Sequence, residues 1–486
     1  MRKIGRSSFI GSASSQQLQI TGRRIALASA HQQQLQQPST LIPPLLPELR
    51  REPIVEPAVH NFSPGPAQLP RSVLSRARDE FLSWPETPGM SVMCVSHREH
   101  GGPYQQLQAR AELQVRVALD VPDDYHVLFM QGGAHAQFAA LPLNLCGGGA
   151  MASGAGAPGG SSHSSSQSSL PIAAVDSGFW SRRAASEFSK YAAVHWAASA
   201  ELSDAPSGDA IASGDAIAGG RGGGDASRDW RDLGRHTRLP CAASWNVPGK
   251  AAFVHVCANE TINGLELHED PSLAAGAPPV VADFTSTLLS RPVDISKYGV
   301  VYASGGKNIG PAGVTLVIVR DSLLRAEREH PLCPSMLSYR TFADTRPITS
   351  LHATPPTFAI YLLSLTLEEL AARGGVQWAA ERSTRLAALL YSAIDASCGF
   401  YTNSVHAASR SRVSVPFAVR GGSSRSPAQS KALEQSFLHE AEARGFRHIA
   451  GHPLVGGLRA SIYNGVADEA VEALVGFMDD FRRRHA

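Results

Sequence analysis

Lys307 and Asp283 are the residues whose types and spacing can do chemistry. Lys307 follows Gly305 and Gly306 at the end of an apolar, aromatic run, residues 298–303, which predicts a buried strand. The two glycines turn the chain and let other groups approach its backbone. A lysine buried there is costly to leave charged and unpaired. Burial lowers its pKa from about 10.4 toward neutrality and yields a nucleophilic amine. Such an amine suits a Schiff base with a carbonyl, and pyridoxal phosphate is the usual carbonyl for a lysine so placed. Upstream, residues 279–283 form a second apolar run that ends on Asp283. A carboxylate there keeps a pyridine nitrogen protonated, so that the ring can absorb carbanion charge. The spacing fits two consecutive strands whose ends share one rim of a sheet. A lysine beside Gly-Gly, taken alone, is most often a solvated loop residue. A nucleotide-binding loop fails, because Asn308 follows the lysine and no glycine stands at the required upstream spacing.

Other elements must position this pair. Residues 125–130 read as a strand, and the turn 131–136 leads into a helix beginning near Gln137; backbone N–H groups in such a turn cradle an anionic phosphate. Further strands are expected at 171–176, 252–257, 413–419 and 457–463. A helix opens at Pro70 with Val73, Leu74, Ala77, Phe81 and Leu82 on its apolar face. From Pro355 the pattern turns helical, with helices at 357–372, 378–396, 429–443 and 468–484. Strands alternating with helices argue an α/β fold: a doubly wound, mostly parallel sheet with ligands at the carboxyl ends of its strands, followed by a small α+β domain. Read by type alone, Trp180 is a core aromatic, Thr261 a strand-end cap, and Arg98 a surface ion-pair partner. Arg459 lies among apolar neighbours inside a strand and needs a partner.

The length of 486 residues is enough for two to three domains. A net charge of +2 without a basic stripe argues against nucleic acid. The six cysteines have neither disulfide-framework nor metal-ligand spacing, so no metal is expected. No apolar run is long enough to span a bilayer. Residues 1–58 are rich in Ser and Gln, carry Arg2, Lys3, Arg6, Arg23 and Arg24, and have no acid before Glu48. That composition predicts an organelle transit peptide, plastid or mitochondrial; an ordinary disordered tail on a cytoplasmic protein is the alternative. Residues 146–170 and 202–237 are low-complexity inserts, the second containing Ser-Gly-Asp-Ala-Ile-Ala twice.

Separated runs along the chain carry a resemblance. They include Gly89-Met-Ser-Val-Met93 with Ser96-His-Arg98, Val127-Leu-Phe-Met-Gln-Gly-Gly133, Ala258-Asn-Glu-Thr261 and Leu289-Ser-Arg-Pro292. Further along stand Lys307-Asn-Ile-Gly-Pro-Ala-Gly313, Thr354-Pro-Pro-Thr-Phe358 and Gly456-Gly-Leu-Arg-Ala-Ser-Ile-Tyr-Asn464. From about Asn61 onward, inserts excepted, the chain resembles the phosphoserine aminotransferases, class V members of the fold-type I pyridoxal-phosphate enzymes. The resemblance implies a homodimer with shared active sites. It makes Lys307 the catalytic, cofactor-bearing lysine and Asp283 the partner of the pyridine nitrogen. Trp180 then stacks on the ring, Thr261 lies near the ring hydroxyl, and Ala134 and His135 meet the cofactor phosphate. Gly306 adjoins the cofactor, and Ala353 and Thr354 reach its phosphate from the neighbouring subunit. His97, Arg98, His452 and Arg459 bind substrate, Arg459 through the α-carboxylate. The implied reaction interconverts 3-phosphohydroxypyruvate plus L-glutamate with O-phospho-L-serine plus 2-oxoglutarate, in serine biosynthesis. Residues 59–377 would be the large cofactor domain and 378–486 the small one.

Some positions depart from the family pattern. Gly306 stands for Gln, Ala353 for Asn and Pro453 for Arg, while Pro64 replaces a small residue. Each lost hydrogen bond to a charged group costs about 1.5–3 kcal/mol. The departures keep two other functions in view: a transaminase for another hydroxy-amino acid, such as 4-phosphohydroxythreonine, or a catalytically weak cofactor-binding scaffold.

Overall fold

The computed structural model describes residues 59–147, 169–201 and 235–486. The expectations for residues 1–58 and for most of both inserts fall outside these. Seven strands form the main sheet: β1 (Tyr125–Met130), β2 (Ile172–Asp176), β3 (Val194–Ser199), β4 (Val254–Cys257), β5 (Val280–Asp283), β6 (Val300–Ser304) and β7 (Thr315–Arg320). Their order is β1-β7-β6-β5-β4-β2-β3. All neighbours run parallel except β7, which is antiparallel to both β1 and β6. The turn 305–314 between β6 and β7 is too short for a crossover, so β7 can only return alongside β6.

Period-two alternation sends successive side chains to opposite faces. Val301 and Ala303 of β6 join one apolar core with Val280 and Ala282 of β5. Val300 and Tyr302 join the other with Val281. Helices cover both faces, which explains why these strands read as unbroken apolar runs. A third core gathers around the antiparallel strands β8 (Tyr401–Thr402), β9 (Ser414–Val419) and β10 (Leu458–Ser461).

The helices are α1 (Arg71–Asp79), α2 (Pro103–Leu119), α3 (Gly133–Leu145), α4 (Phe179–Phe188), α5 (Thr357–Ala372), α6 (Gly375–Asp395), α7 (Pro427–Ala443) and α8 (Asp468–His485), besides a short one at Tyr339–Asp344. Helix α6 ties the cores together. Val376 and Ala379 pack on the sheet, while Leu386, Leu390 and Ile394 enter the C-terminal core. The strand His60–Asn61 pairs in parallel with Phe446–Arg447, and Phe62 is buried in the C-terminal core. The first described residues therefore pack with the last third of the chain, across the expected boundary at 377.

The structure corrects four expectations. Helix α3 starts at Gly133 and not near Gln137, because Gly132 and Gly133, at φ +93° and +67°, complete the turn by themselves. Helix α1 ends at Asp79, leaving Phe81 and Leu82 outside it and exposed. Helix α6 begins at Gly375, after Gly374 in the left-handed region. The tail of the second insert belongs to the fold, for His236 is buried against Asp176. Among the described residues, no helix is long and apolar enough to cross a membrane.

Candidate active site

The sheet register places Asp283 directly opposite Tyr302 across β5 and β6. Both strands end at one rim, and the turn after β6 carries Lys307 back over it. No side chain fits at Gly305, where a Cβ would collide with the Pro311 carbonyl oxygen. Gly306 sits at φ +94°, a conformation glycine adopts without strain. Lys307 is half-buried; its amine donates to the Pro64 carbonyl oxygen and lies 5.5 Å from the centre of the Tyr463 ring. Tyr463 donates to the same carbonyl at 3.2 Å.

Two adjoining cavities open at this lysine. The inner one, about 200 Å³, is lined by Ala134, His135, Trp180, Thr261, Asp283 and Lys307 among others. The outer one, about 360 Å³, shares Trp180, Thr261 and Lys307 and adds Gly306, His452 and Arg459. Eight of the expected site residues thus meet around Lys307.

Asp283 closes the inner end and is 5% exposed. Burial pushes its pKa up, against the pull of the Thr285 and Tyr302 hydrogen bonds and of the Lys307 charge. The Thr285 backbone N–H donates to it at 2.8 Å. At the other end lies the first turn of α3. Its leading N–H groups have no intrahelical acceptor and form a ready anion site. Thr315 Oγ1 takes the Gly133 N–H at 2.8 Å, which leaves those of Ala134 and His135. The His135 ring packs against Trp180 and Phe138, so its backbone and not its side chain suits the anion role.

Trp180 is fixed twice. Its indole N–H donates to Thr261 Oγ1 at 2.9 Å. Its backbone N–H donates to Glu260, which also accepts from the Ser181 N–H and the Ser177 hydroxyl. Glu260 is wholly buried and caps the positive end of α4. Burial raises its pKa, and these three donors oppose the rise.

Arg459 on β10 is 6% exposed. Its guanidinium donates to the Thr261 carbonyl at 3.0 Å, its Nε has no partner, and no described carboxylate lies within ion-pair distance. Burial lowers its pKa, the mark of a cation held short of its counter-ion.

Four expected residues lie elsewhere. His97 and Arg98 sit in a loop, Arg98 exposed, and Thr354 is exposed with its carbonyl accepting from Gln131 at 3.1 Å. Neither these nor Ala353 lines either cavity. Asp176, Glu201 and His236 bring metal-type ligands together, but the Arg182 guanidinium bridges both carboxylates, which makes the group an ion-pair network. Sequence reasoning missed Glu260, Tyr302, His255 and Tyr463 as supports. Only His255 left a signal, a histidine in an otherwise apolar strand.

His255 is wholly buried, and burial pushes its pKa down to about 3 from an ordinary 6.5. The unfolded chain therefore binds the proton more readily, and stability falls as pH drops from 6.5 toward 3. This one group contributes at most about 1.4 kcal/mol per pH unit. Urea unfolding between pH 7 and 5 should show a shallower slope in His255→Gln; an unchanged slope would mean that His255 is not neutral in the fold.

The family described as aminotransferase class-V matches residues 232–474. A phosphoserine aminotransferase of Janthinobacterium sp. (strain Marseille) is 38% identical over 427 residues, 88% of this chain and 99% of that protein. The chain belongs to the phosphoserine aminotransferases. The solved phosphoserine aminotransferase from Bacillus circulans subsp. alkalophilus superposes with a TM-score of 0.71 at 33% identity, covering 88% of this chain and 99% of the other. The pyridoxal-phosphate-bound phosphoserine aminotransferase from Trichomonas vaginalis gives 0.68 at 28% identity, covering 87% and 100%.

The residues present fit the cofactor of class-V aminotransferases. Lys307 offers an amine to a carbonyl, Asp283 a buried carboxylate to a pyridine nitrogen, and Trp180 a flat face. The free N–H groups of α3 offer a seat to a phosphate. All four surround one cavity. The expected fold holds as well: a fold-type I aminotransferase sheet with its site at the strands' carboxyl ends.

Proposed function

We propose that the protein binds pyridoxal 5'-phosphate in the inner cavity and transfers an amino group in the outer one. It interconverts 3-phosphohydroxypyruvate plus L-glutamate with O-phospho-L-serine plus 2-oxoglutarate. The observation that carries this reading is the buried Arg459 guanidinium, unpaired and opening onto the Lys307 cavity. An amino acid's α-carboxylate is the partner it lacks.

Bound there, the cofactor supplies a carbonyl and an electron-accepting ring. Lys307 Nζ takes the proton from the substrate α-carbon and later returns one, as general base then acid. Asp283 would hold negative charge against the ring nitrogen, and Trp180 and Thr261 would offer the ring a wall and hold water out. Arg459 grips the α-carboxylate, and His452 lies on the outer side toward the substrate's phosphate.

His97, Arg98, Ala353 and Thr354 reach the site from a second copy of the chain in this reading. The exposed apolar residues Phe81, Leu82, Met90 and Met93 precede the His97–Arg98 loop and support a homodimer there. Residues 59–377 form the large domain and 378–486 the small one, apart from the strand at His60–Asn61 and Phe62, which join the small domain's core. The acid-poor, Arg- and Ser-bearing composition of residues 1–58 supports an organelle transit peptide.

The test is the absorbance spectrum of purified protein during titration with phosphoserine. A yellow band that bleaches with phosphoserine, and not with serine, is expected. A band unmoved by phosphoserine but bleached by another amino acid would overturn the substrate; a protein that never colours with added cofactor would overturn the reaction class. Arg459→Gln should raise KM for glutamate and phosphoserine about ten- to a hundredfold, since it removes hydrogen bonds to a charged group. Because the change also removes an unpaired buried cation, the substrate-free melting temperature should not fall. An unchanged KM would remove Arg459 from the substrate site.

A further inference from the structure

Beneath the inner cavity lies a buried polar chain with no part in the chemistry proposed for Lys307. His255 on β4 and Tyr302 on β6 are both wholly buried, and His255 Nε2 lies 2.9 Å from the Tyr302 hydroxyl. Tyr302 stands opposite Asp283 in the sheet register, so both side chains leave the same face of the sheet and the phenol and the carboxylate face one another. Three strands thus present a histidine, a phenol and a carboxylate in line.

The protons in this chain have one economical arrangement. Burial keeps the imidazole neutral, so it carries a single N–H. His255 Nδ1 has no partner. A proton on Nδ1 would be a buried donor without an acceptor, which costs more than an unused lone pair. The hydrogen is therefore assigned to Nε2, which donates to the Tyr302 oxygen. That leaves the phenolic hydrogen for Asp283. The titratable groups facing the Tyr302 hydroxyl are Asp283, Cys257 and Tyr339. Burial pushes the Cys257 thiol and the Tyr339 phenol up, so both stay neutral. Asp283 alone can be charged there. Burial works against that charge, and the donors that oppose it are Thr285 on one side and Tyr302 on the other.

We propose that Tyr302 and His255 are positioning residues: His255 Nε2–H orients the Tyr302 hydroxyl, which donates to Asp283 and keeps it ionised against the pyridine nitrogen of the cofactor. The inference rests on pyridoxal phosphate binding in the inner cavity. A hydroxyl that only filled space could be removed without changing the cofactor's protonation.

The experiment loads the full chain with pyridoxal phosphate labelled with ¹⁵N in its ring and follows the ring-nitrogen resonance against pH. In Tyr302→Phe the nitrogen should lose its proton about one to two pH units lower than in wild type, as expected for one lost hydrogen bond to a charged group. Half-reaction rates with glutamate should fall about tenfold or more over the same pH range. His255→Leu should move the resonance in the same direction and His255→Gln, which keeps a side-chain N–H, should not. Cofactor-free melting curves show whether each variant is folded. A Tyr302→Phe titration identical to wild type, or equal shifts in both His255 variants, overturns the proposal. Failure of the wild-type chain to take up the labelled cofactor overturns the reading beneath it instead, and the proposal falls with it.

Discussion

Replacing Lys307 by alanine should stop amino-group transfer, with a fall in rate of about 10²–10⁴-fold or more, the usual contribution of a positioned general base. No other group in the inner cavity can take its place. Burial pushes the Cys257 thiol up, so it stays protonated. The His135 ring is packed between Trp180 and Phe138. Asp283 lies at the buried end, beside Thr285 and Tyr302. The substitution should not unfold the protein. The Pro64 carbonyl loses one donor and keeps the Tyr463 hydroxyl. It also opens space beside Gly65, where a Cβ would now meet Lys307 Cε and Nζ at 3.0 Å. Methylamine added to Lys307→Ala should therefore restore part of the lost rate, which a merely structural lysine would not allow. Steady-state transamination of phosphoserine with 2-oxoglutarate reads both effects. A wild-type rate in Lys307→Ala would sink the mechanism.

Asp283→Asn should cost about 10²–10³-fold in the half-reaction with glutamate, in line with the loss of one preorganised electrostatic partner in a buried site. The amide has the same shape, and its oxygen can still accept from the Thr285 N–H. What it cannot do is carry negative charge beneath a protonated ring nitrogen. Stability should move the other way. Burial raises the Asp283 pKa, so the ionised carboxylate is favoured less in the fold than in the unfolded chain. Above the folded-state pKa this charge opposes folding, and the neutral amide removes that opposition. At neutral pH the variant should melt no lower than wild type while reacting far more slowly. A variant that loses stability and activity together would show that Asp283 holds the fold and not the charge.

Much of this was legible in the residues. Unbroken apolar runs ending in Asp283 and before Lys307 gave both strands and their shared rim, because a strand buried on two faces leaves such a run. Glycine punctuation placed the turn at Gly132 and Gly133, though not the helix start at Gly133, since a left-handed glycine that closes a turn and one that opens a helix look alike in sequence. The resemblance brought Trp180, Thr261 and Arg459 to the same cavity. It did not bring His97, Arg98, Ala353 or Thr354 there, for none of them lines either cavity. The supports were invisible for a different reason. Glu260 serves a helix that begins some 80 residues earlier, and Tyr302 reads as one more aromatic in a core strand. Contacts across the sheet leave no periodicity along it. His236 was hidden in low-complexity surroundings whose composition says nothing of a side chain that anchors their end.

The strap from His60 to Pro66 also bears on the order of events during synthesis. Its strand pairs with Phe446–Arg447, and the Pro64 carbonyl that receives the Lys307 amine is held by Tyr463, 399 residues further on. A chain emerging from the ribosome can build much of the main sheet before either partner exists. The strap must wait, because a contact of that sequence separation cannot form until the far end is made. The mouth of the site is thus the last part to assemble. A polypeptide released short of Phe446 would carry Lys307 and Asp283 on a complete main sheet, yet have nothing to seat the segment that shapes their entrance.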